Sequence, residues 1–546
     1  MTGDMRYFNT AGPVKPAKHY HVPPLSRLDV DNLLELLRQE KYFALHAPRQ
    51  TGKTSTLLAL RRELNDCGEF RCAYVNVEVG QSSREDVGAA MQAILSALAR
   101  GARHSLDDRF VAGIWRDVLE EAGPHDALGE TLARWAEADA RPLVLLIDEI
   151  DALVGDSLVS VLRQLRAGYP ERPRRFPQSV ILCGVRDVRD YRMHSPSGRE
   201  IIAGGSAFNI RAESLRLGDF SRREVESLLA QHREDTGQPF TDGAHAAVWE
   251  LTRGQPWLVN ALAYEACFRD EAGRDRERPV RAIAIRGARD RLILRRETHL
   301  EQLTDKLREE RVRRVIEPLL SGSAAIAPIP VDDLDYARDL GLVARENPIA
   351  IANPIYREMI PRDLTHTTQA GFEHDAAWYV DEGGALRAND LLAVFQDFFR
   401  QHSEHWVERF QYKGAGPQLL LQAFLQRIVN SGGRIEREYG LGRGRTDLLI
   451  VWPLAATPRR TEVDADGRIG TRPATQKIVV ECKVLRSGPA RTLRDGLEQT
   501  RAYMDRCAAP EGHLVIFDRD EDKSWDRKIY IREETGGGAP VTVWGM

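Results

Sequence analysis

The chain has 546 residues, 42% of them hydrophobic and 29% charged, with a net charge of −4. That length exceeds what one ordinary core buries and sets an expectation of about three to four domains. A net negative chain offers a polyanion no whole-molecule attraction, so any nucleic-acid contact must use local basic patches.

No apolar run approaches the roughly 20 residues that span a bilayer. The N-terminal region, with Asp4, Arg6, His19 and several prolines, lacks the apolar centre of a secretory signal. The expectation is a cytoplasmic protein with no membrane association. The six cysteines (Cys67, Cys72, Cys183, Cys267, Cys482, Cys507) form no CxxC pair and no zinc-ligand cluster, and read as reduced thiols.

A proline-rich segment, Pro13 to Pro24, leads into an amphipathic helix, Asp31 to Arg38, and a short apolar strand, Tyr42 to Leu45. A helix follows over Thr54 to Leu64 and a strand over Cys72 to Val77. Helices fill most of 85 to 137, and two further strands are Leu143 to Ile147 and Ser179 to Gly184. This alternation predicts a parallel sheet with helices on its faces. The stretch from about 219 to 270 reads as a helical lid, and mixed-charge helices continue from 275 to 320. Segments 330 to 360 have the rhythm of a small winged-helix unit.

Beyond about residue 385, helices at Leu391 to His402 and Gln418 to Asn430 precede strands at 434 to 438, 447 to 452 and 477 to 481. The polar stretch 456 to 476 reads as a hairpin excursion. A helix at 491 to 507 and a strand at 513 to 517 complete an α/β unit. The expected architecture is α/β and multidomain, with a P-loop core over 1 to 215, a helical lid over 216 to 290, a winged-helix-like domain over 291 to 370 and a C-terminal α/β domain over 385 to 546.

Ala47-Pro48-Arg49-Gln50-Thr51-Gly52-Lys53-Thr54 fits the P-loop pattern, with Ala47 where the first glycine is usual. Such a loop between strand and helix points backbone N–H groups and the positive helix end at phosphates. Lys53 would reach the β and γ phosphates, and the Thr54 hydroxyl would hold Mg²⁺. The strand Leu143 to Ile147 ends in Asp148 and Glu149, a Walker B pattern in which Asp148 supports Mg²⁺ and Glu149 polarises the attacking water. No Asn-Lys-x-Asp segment of the kind that reads guanine is present, which favours ATP. The P-loop, the DE-ended strand, the strand SVILCGVRD and Gly254-Gln255-Pro256 before a helix together resemble the AAA-like ATPases of the initiator and STAND type. That resemblance implies that Arg186 lies near a sensor position and that Pro256 opens a lid helix close to the nucleotide. The cluster Arg163, Arg166, Arg172, Arg174 and Arg175 reads either as a solvated basic loop or as a source of a trans-acting arginine, which would require an oligomer.

Near the C-terminus, Gly442-Arg443-Gly444-Arg445-Thr446-Asp447 puts a carboxylate at the start of an apolar strand, and Ile478-Val479-Val480 ends in Glu481-Cys482-Lys483. An antiparallel pairing would bring Asp447 beside Glu481, with Lys483 on the face of Glu481. Two carboxylates can hold Mg²⁺ while a lysine orients water for attack on a phosphodiester. The arrangement resembles the PD-(D/E)XK nuclease superfamily over roughly 410 to 520, with Gln499 and Tyr503 spaced as the Gln-x-x-x-Tyr element of some members. The glutamate usual on the preceding helix is missing. That helix offers Gln418, Gln422 and Gln426, so a glutamine substitutes or Glu436 or Glu438 contributes. Arg434, Arg437, Arg443 and Arg445 flank the centre, as phosphate contacts or as solvated side chains; His402 and His405 read as surface histidines. Two functions stand open: an ATP-controlled, Mg²⁺-dependent nuclease acting on nucleic acid, DNA before RNA, or a nucleotide-switched scaffold whose nuclease-like domain only binds.

Overall fold

The computed structural model describes residues 6–185, 192–193, 202–203, 211–295, 303, 305–307, 309–321, 329–346, 348–364, 379–381, 384–410, 421, 424–425, 434–438, 447–454, 460–463, 469–472, 475–485, 488–518, 520, 523–536 and 538–546. Two compact units divide the chain. The first comprises Met1–Leu303, Leu334–Pro348 and Ala352–Ile355; the second comprises Thr304–Asp333, Ile349–Ile351 and Tyr356–Met546.

In the first unit two short parallel strands, β1 (Tyr7–Phe8) and β2 (His19–Tyr20), precede α1 (Val30–Arg38). Then come β3 (Tyr42–His46), α2 (Lys53–Asp66), β4 (Arg71–Asn76), α3 (Val87–Leu106), α4 (Phe110–Ala122), α5 (Ala127–Glu137), β5 (Leu143–Asp148), α6 (Gly155–Ala167) and β6 (Ser179–Gly184). A two-residue pair, β7 (Arg192–Met193) and β8 (Ile202–Ala203), precedes β9 (Arg211–Arg216). The main sheet is ordered β4-β5-β6-β3-β9, with every pairing parallel. Successive strand residues face opposite sides, so Phe43, Leu45, Val144, Leu146, Ile181 and Cys183 pack with α1 and α2. Tyr42, Ala44, Ala73, Val75, Leu145, Ile147 and Leu182 pack with α3 to α6. Burial on both faces is why these strands read as unbroken apolar runs. Strand β9, with the sequence RAESLR, shows no such run and escaped the sequence reading.

The lid follows as α7 (Arg222–Thr236), α8 (Asp242–Thr252) and α9 (Pro256–Tyr264), the last continuing into a π-helical turn, Glu265–Arg269. Ser221 and Glu224 form a capping box on α7, and α10 (Ala282–Arg295) packs on α8 and α9. The N-terminal strands dock on this lid. Phe8 and Tyr20 pack around the buried His232 ring, and Arg6 pairs with Asp235 at 2.8 Å. The region expected to be winged-helix-like contains helices Glu310–Ser321, Val331–Asp339 and Pro354–Leu364 and is shared between the two units.

The second unit carries a six-stranded mixed sheet, β10-β11-β14-β15-β17-β16, formed by β10 (Arg434–Glu438), β11 (Asp447–Pro453), β14 (Thr475–Val484), β15 (Glu511–Phe517), β17 (Val541–Gly545) and β16 (Tyr530–Glu534). The excursion between β11 and β14 is an antiparallel pair, β12 (Arg460–Val463) and β13 (Ile469–Arg472). One face is covered by α11 (Ala388–Phe410), whose Leu391, Leu392 and Phe395 meet Ile450, Val480 and Val515. The other is covered by α12 (Pro489–Cys507), whose Tyr503 and Met504 meet Val451, Val479 and Leu514.

Candidate functional site

The end of β3 delivers Ala47 into the core beside Phe43 and Leu45, where its methyl group is fully buried. This packing accounts for alanine at the position where glycine is usual. The loop then turns through Gln50 at φ +57° and Gly52 at φ +94°, and Gly52 caps α2 in a left-handed conformation that glycine adopts without strain. The Thr51 hydroxyl donates to the Pro48 carbonyl at 2.7 Å. The buried Lys53 ammonium donates to the carbonyls of Ala47 at 3.0 Å and Pro48 at 3.1 Å. Arg49 is exposed, and Gln50 to Thr56 line the cleft beside the loop.

Asp148 is fully buried at the end of β5. Its Oδ2 accepts from the Thr54 hydroxyl and from the Tyr74 hydroxyl, each at 2.8 Å, and its Oδ1 accepts from the Glu149 N–H at 3.0 Å. Burial and the neighbouring Asp148 push the Tyr74 hydroxyl well above its ordinary value, so it remains a donor. A hydroxyl and a carboxylate in contact at the end of a P-loop are hard oxygen donors suited to Mg²⁺, which takes few protein ligands and leaves positions for phosphate and water. Among the described residues no group of three or more His, Cys, Asp or Glu could hold a metal ion. Glu149 stands at φ +56° and lines the cleft. Burial raises its carboxyl above the ordinary value, opposed by Lys53 and reinforced by Asp151 and Asp148.

The cleft has a volume of about 530 Å³. Besides the P-loop it is lined by Asn9 to Val14, Tyr20 to Val22, Arg27, Tyr74, Phe220, Pro256 and Trp257. The N-terminal segment is fixed there by the Trp257 indole donating to the Thr10 carbonyl at 2.9 Å and by the Val14 N–H donating to the Ser55 hydroxyl at 3.0 Å. Pro256 therefore reaches the same cleft as the P-loop, whereas Arg186 lies outside the described residues. Reading the sequence missed Arg27, Tyr74, Trp257 and the N-terminal segment. Their placement depends on partners distant in the chain, 247 positions away for Trp257 and Thr10, 191 for Arg27 and Gly218 and 74 for Tyr74 and Asp148, and no local pattern announces it.

Behind the loop, Gly341 approaches Pro48 so closely that a Cβ there would lie 2.8 Å from the proline ring, and its φ is +77°. His46 Nδ1 lies 3.7 Å from the buried Asp339 carboxylate, which also accepts from Arg345 at 2.7 Å. In the basic cluster, Arg172 is no solvated side chain. It lies over the Tyr169 ring and donates to the carbonyls of Tyr169 and Glu40, while Arg175 pairs with Glu137 at 2.6 Å.

In the second unit the register pairs Glu438 with Asp447 and Leu448 with Val480. Glu481, the next residue of β14, thus stands at the position facing 447. Glu481 is 1% exposed; its Oε1 accepts from Lys483, and its buried Oε2 has no hydrogen-bond partner among the described residues. Lys483 donates as well to the Gln499 carbonyl oxygen on α12, and Tyr503 is buried one turn further on. Gln418 lies outside the described residues, as do Gln422, Gln426, Arg443 and Arg445.

Fold and site together define a P-loop ATPase domain. Residues 37–191 match the family model described as AAA domain, and that stretch is an AAA-type ATPase domain, whose nucleotide is ATP. No curated protein matches the chain. Among solved structures, a Walker-type ATPase of Pyrococcus abyssi is 14% identical, with 65% of this chain and 99% of that chain covered and a TM-score of 0.44. The RuvB Holliday junction branch migration motor of Thermotoga maritima is 12% identical, with coverage of 63% and 95% and a TM-score of 0.31. The Orc1 protein of Aeropyrum pernix, solved in complex with DNA, is 14% identical, with coverage of 64% and 94% and a TM-score of 0.32. Among the described residues no helix is long and apolar enough to cross a membrane.

Proposed function

We propose that the chain is an ATP-controlled, metal-dependent nuclease. In the first unit Lys53 moves from the Ala47 and Pro48 carbonyls to bind the β and γ phosphates of ATP. Glu149, in the cleft with its proton affinity raised, takes the proton of the attacking water. A Mg²⁺ ion held by Thr54 and Asp148 would supply neutralisation of phosphate charge.

In the second unit Asp447 and Glu481 would hold the divalent cation, Lys483 would orient the attacking water, and Gln499 would hold Lys483. Glu438, opposite 447 in register, supplies the acidic position missing from the helix that carries Gln418. The observation that carries this half is the buried, unpartnered Oε2 of Glu481 at the position facing 447. An orphaned buried carboxylate oxygen is costly and fits a site completed by a cation. The substrate is nucleic acid, DNA before RNA, and a homo-oligomer would let an arginine act in trans.

The alternative is a nucleotide-switched scaffold. It is favoured by the double engagement of Lys483, whose charge is already spent on Glu481 and Gln499. Incubating the full chain with plasmid, linear and single-stranded DNA and with RNA, with Mg²⁺ or Mn²⁺ and with or without ATP, separates the two. Cleavage lost in Asp447→Ala and Glu481→Ala is the nuclease outcome. Cleavage undiminished by those variants, or absent from the parent under every condition, leaves the scaffold.

A further inference from the structure

Arg27 stands just before α1 and joins three parts of the first unit. Its Nη1 donates to the Thr51 carbonyl of the P-loop at 2.6 Å, and its Nη2 donates to the Gly218 carbonyl on the chain leading from β9 into the lid. The guanidinium lies over the Phe220 ring, 5.0 Å from its centre. From Phe220 the connection continues, since its N–H donates to the Gly254 carbonyl at 2.9 Å, two residues before the Pro256 that lines the cleft. A Cβ on Gly52 would lie 3.3 Å from Arg27 Nη1, so the P-loop backbone and the guanidinium are in direct packing contact.

Planarity of the peptide unit gives this contact a consequence for the loop. In a trans peptide the carbonyl oxygen and the following N–H point in opposite directions. Drawing the Thr51 oxygen toward Arg27 therefore turns the Gly52 N–H the other way. The planar guanidinium presents its donors in a fixed fork, so Nη1 and Nη2 reach two carbonyls on separate segments while the plane lies over Phe220; an ammonium supplies donors but no plane to lay on that ring.

We propose that Arg27 is the positioning residue that locks the lid to the phosphate-binding loop: it fixes the Thr51–Gly52 peptide in the orientation that offers the Gly52 amide to phosphate, and it makes that orientation conditional on the lid segment 218–220 being in place. The proposal rests on the reading of the cleft as the ATP site. Arg27 forms no bond with the reacting atoms, so its loss weakens nucleotide binding while leaving the chemical step intact.

The test measures phosphate release against ATP concentration, with ATP and ADP binding by calorimetry, for the full chain and for Arg27→Ala, Arg27→Lys and Lys53→Ala. A hydrogen bond to a charged group sets the scale, so Arg27→Ala raises KM and both dissociation constants by about tenfold or more, with kcat nearly unchanged. Arg27→Lys falls between that variant and the parent. Guanidinium ion, at concentrations far below those that unfold proteins, restores affinity to Arg27→Ala but not to Lys53→Ala. KM and binding equal to the parent in a folded Arg27→Ala or Arg27→Lys protein would overturn the proposal, as would a fall in kcat at constant KM. A parent chain that neither binds nor hydrolyses ATP would instead overturn the reading of the cleft itself.

Discussion

Replacing Tyr74 by phenylalanine deletes one hydroxyl from the carboxylate end of β5 and leaves the ring in place. Asp148 is fully buried, and its carboxylate accepts hydrogen bonds from the Thr54 and Tyr74 hydroxyls and the Glu149 N–H. The Thr54 hydroxyl would offer Mg²⁺ a lone pair while its O–H still donates to Asp148, and Tyr74 supplies the second hydroxyl donor that orients the carboxylate. A hydrogen bond to a charged group contributes about 1.5–3 kcal/mol, which is about 10- to 150-fold in an equilibrium constant. Loss of a partner that orients a metal ligand costs a comparable 10–100-fold, roughly, in metal affinity. Tyr74→Phe is therefore expected to raise the Mg²⁺ concentration for half-maximal ATP hydrolysis by about one to two orders of magnitude. At saturating Mg²⁺ its kcat stays close to the parent's, because the ring reaches no reacting atom. Phosphate release titrated with Mg²⁺ at fixed ATP measures both quantities. A Mg²⁺ dependence identical to the parent's would refute the assignment of Asp148 as the carboxylate that carries the ion.

Glu149→Gln is expected to keep ATP binding and lose hydrolysis by about 10²–10⁴-fold, and to report the raised carboxyl through stability. A carboxyl raised in the folded state contributes stability that is present below its unfolded value and lost as pH rises through its folded value. The variant should thus melt higher than the parent at neutral pH, the difference closing below the ordinary carboxylate range; a variant no more stable at pH 7 would contradict the burial argument. Gly341→Ala must place a methyl group 2.8 Å from Pro48 at a left-handed φ, and should lower stability by about 2–4 kcal/mol in denaturant titration, with ATP affinity falling as well. An unchanged unfolding midpoint would show that the segment behind the loop yields freely.

The elements that carry chemistry were largely legible. Strands β3, β5 and β6 are buried on both faces and appear as apolar runs; β3 leads into the loop whose Gln50 to Thr56 line the cleft, and β5 into Glu149, which lines it too. The antiparallel pairing of β11 with β14 was expected from one apolar run that starts at a carboxylate and another that ends at one, and the register matches that expectation at the backbone. Polar β9 could not be recognised, since a strand at the sheet edge need not be apolar throughout. Arg27 and Tyr74 were invisible for another reason: their importance lies in a carbonyl and a carboxylate that only the fold brings to them. Within the basic cluster only Arg172 departs from the solvated reading, because an arginine count says nothing of Tyr169, whose ring and carbonyl claim it, while Arg163, Arg166, Arg174 and Arg175 are exposed.

The stitching of the N-terminal segment to the lid also bears on how the protein is made. The wall of the cleft formed by Thr10 is held by Trp257, and the two are 247 positions apart. At roughly 5–20 residues per second, a ribosome needs on the order of 10–50 s to go from one to the other. Throughout that interval the strands and the phosphate loop can already assemble, with Val14 on Ser55, while Thr10 waits for Trp257. A nascent chain therefore gains its complete nucleotide cleft only after the lid has emerged, and ATP added during synthesis rewards the finished domain over its partly made forms.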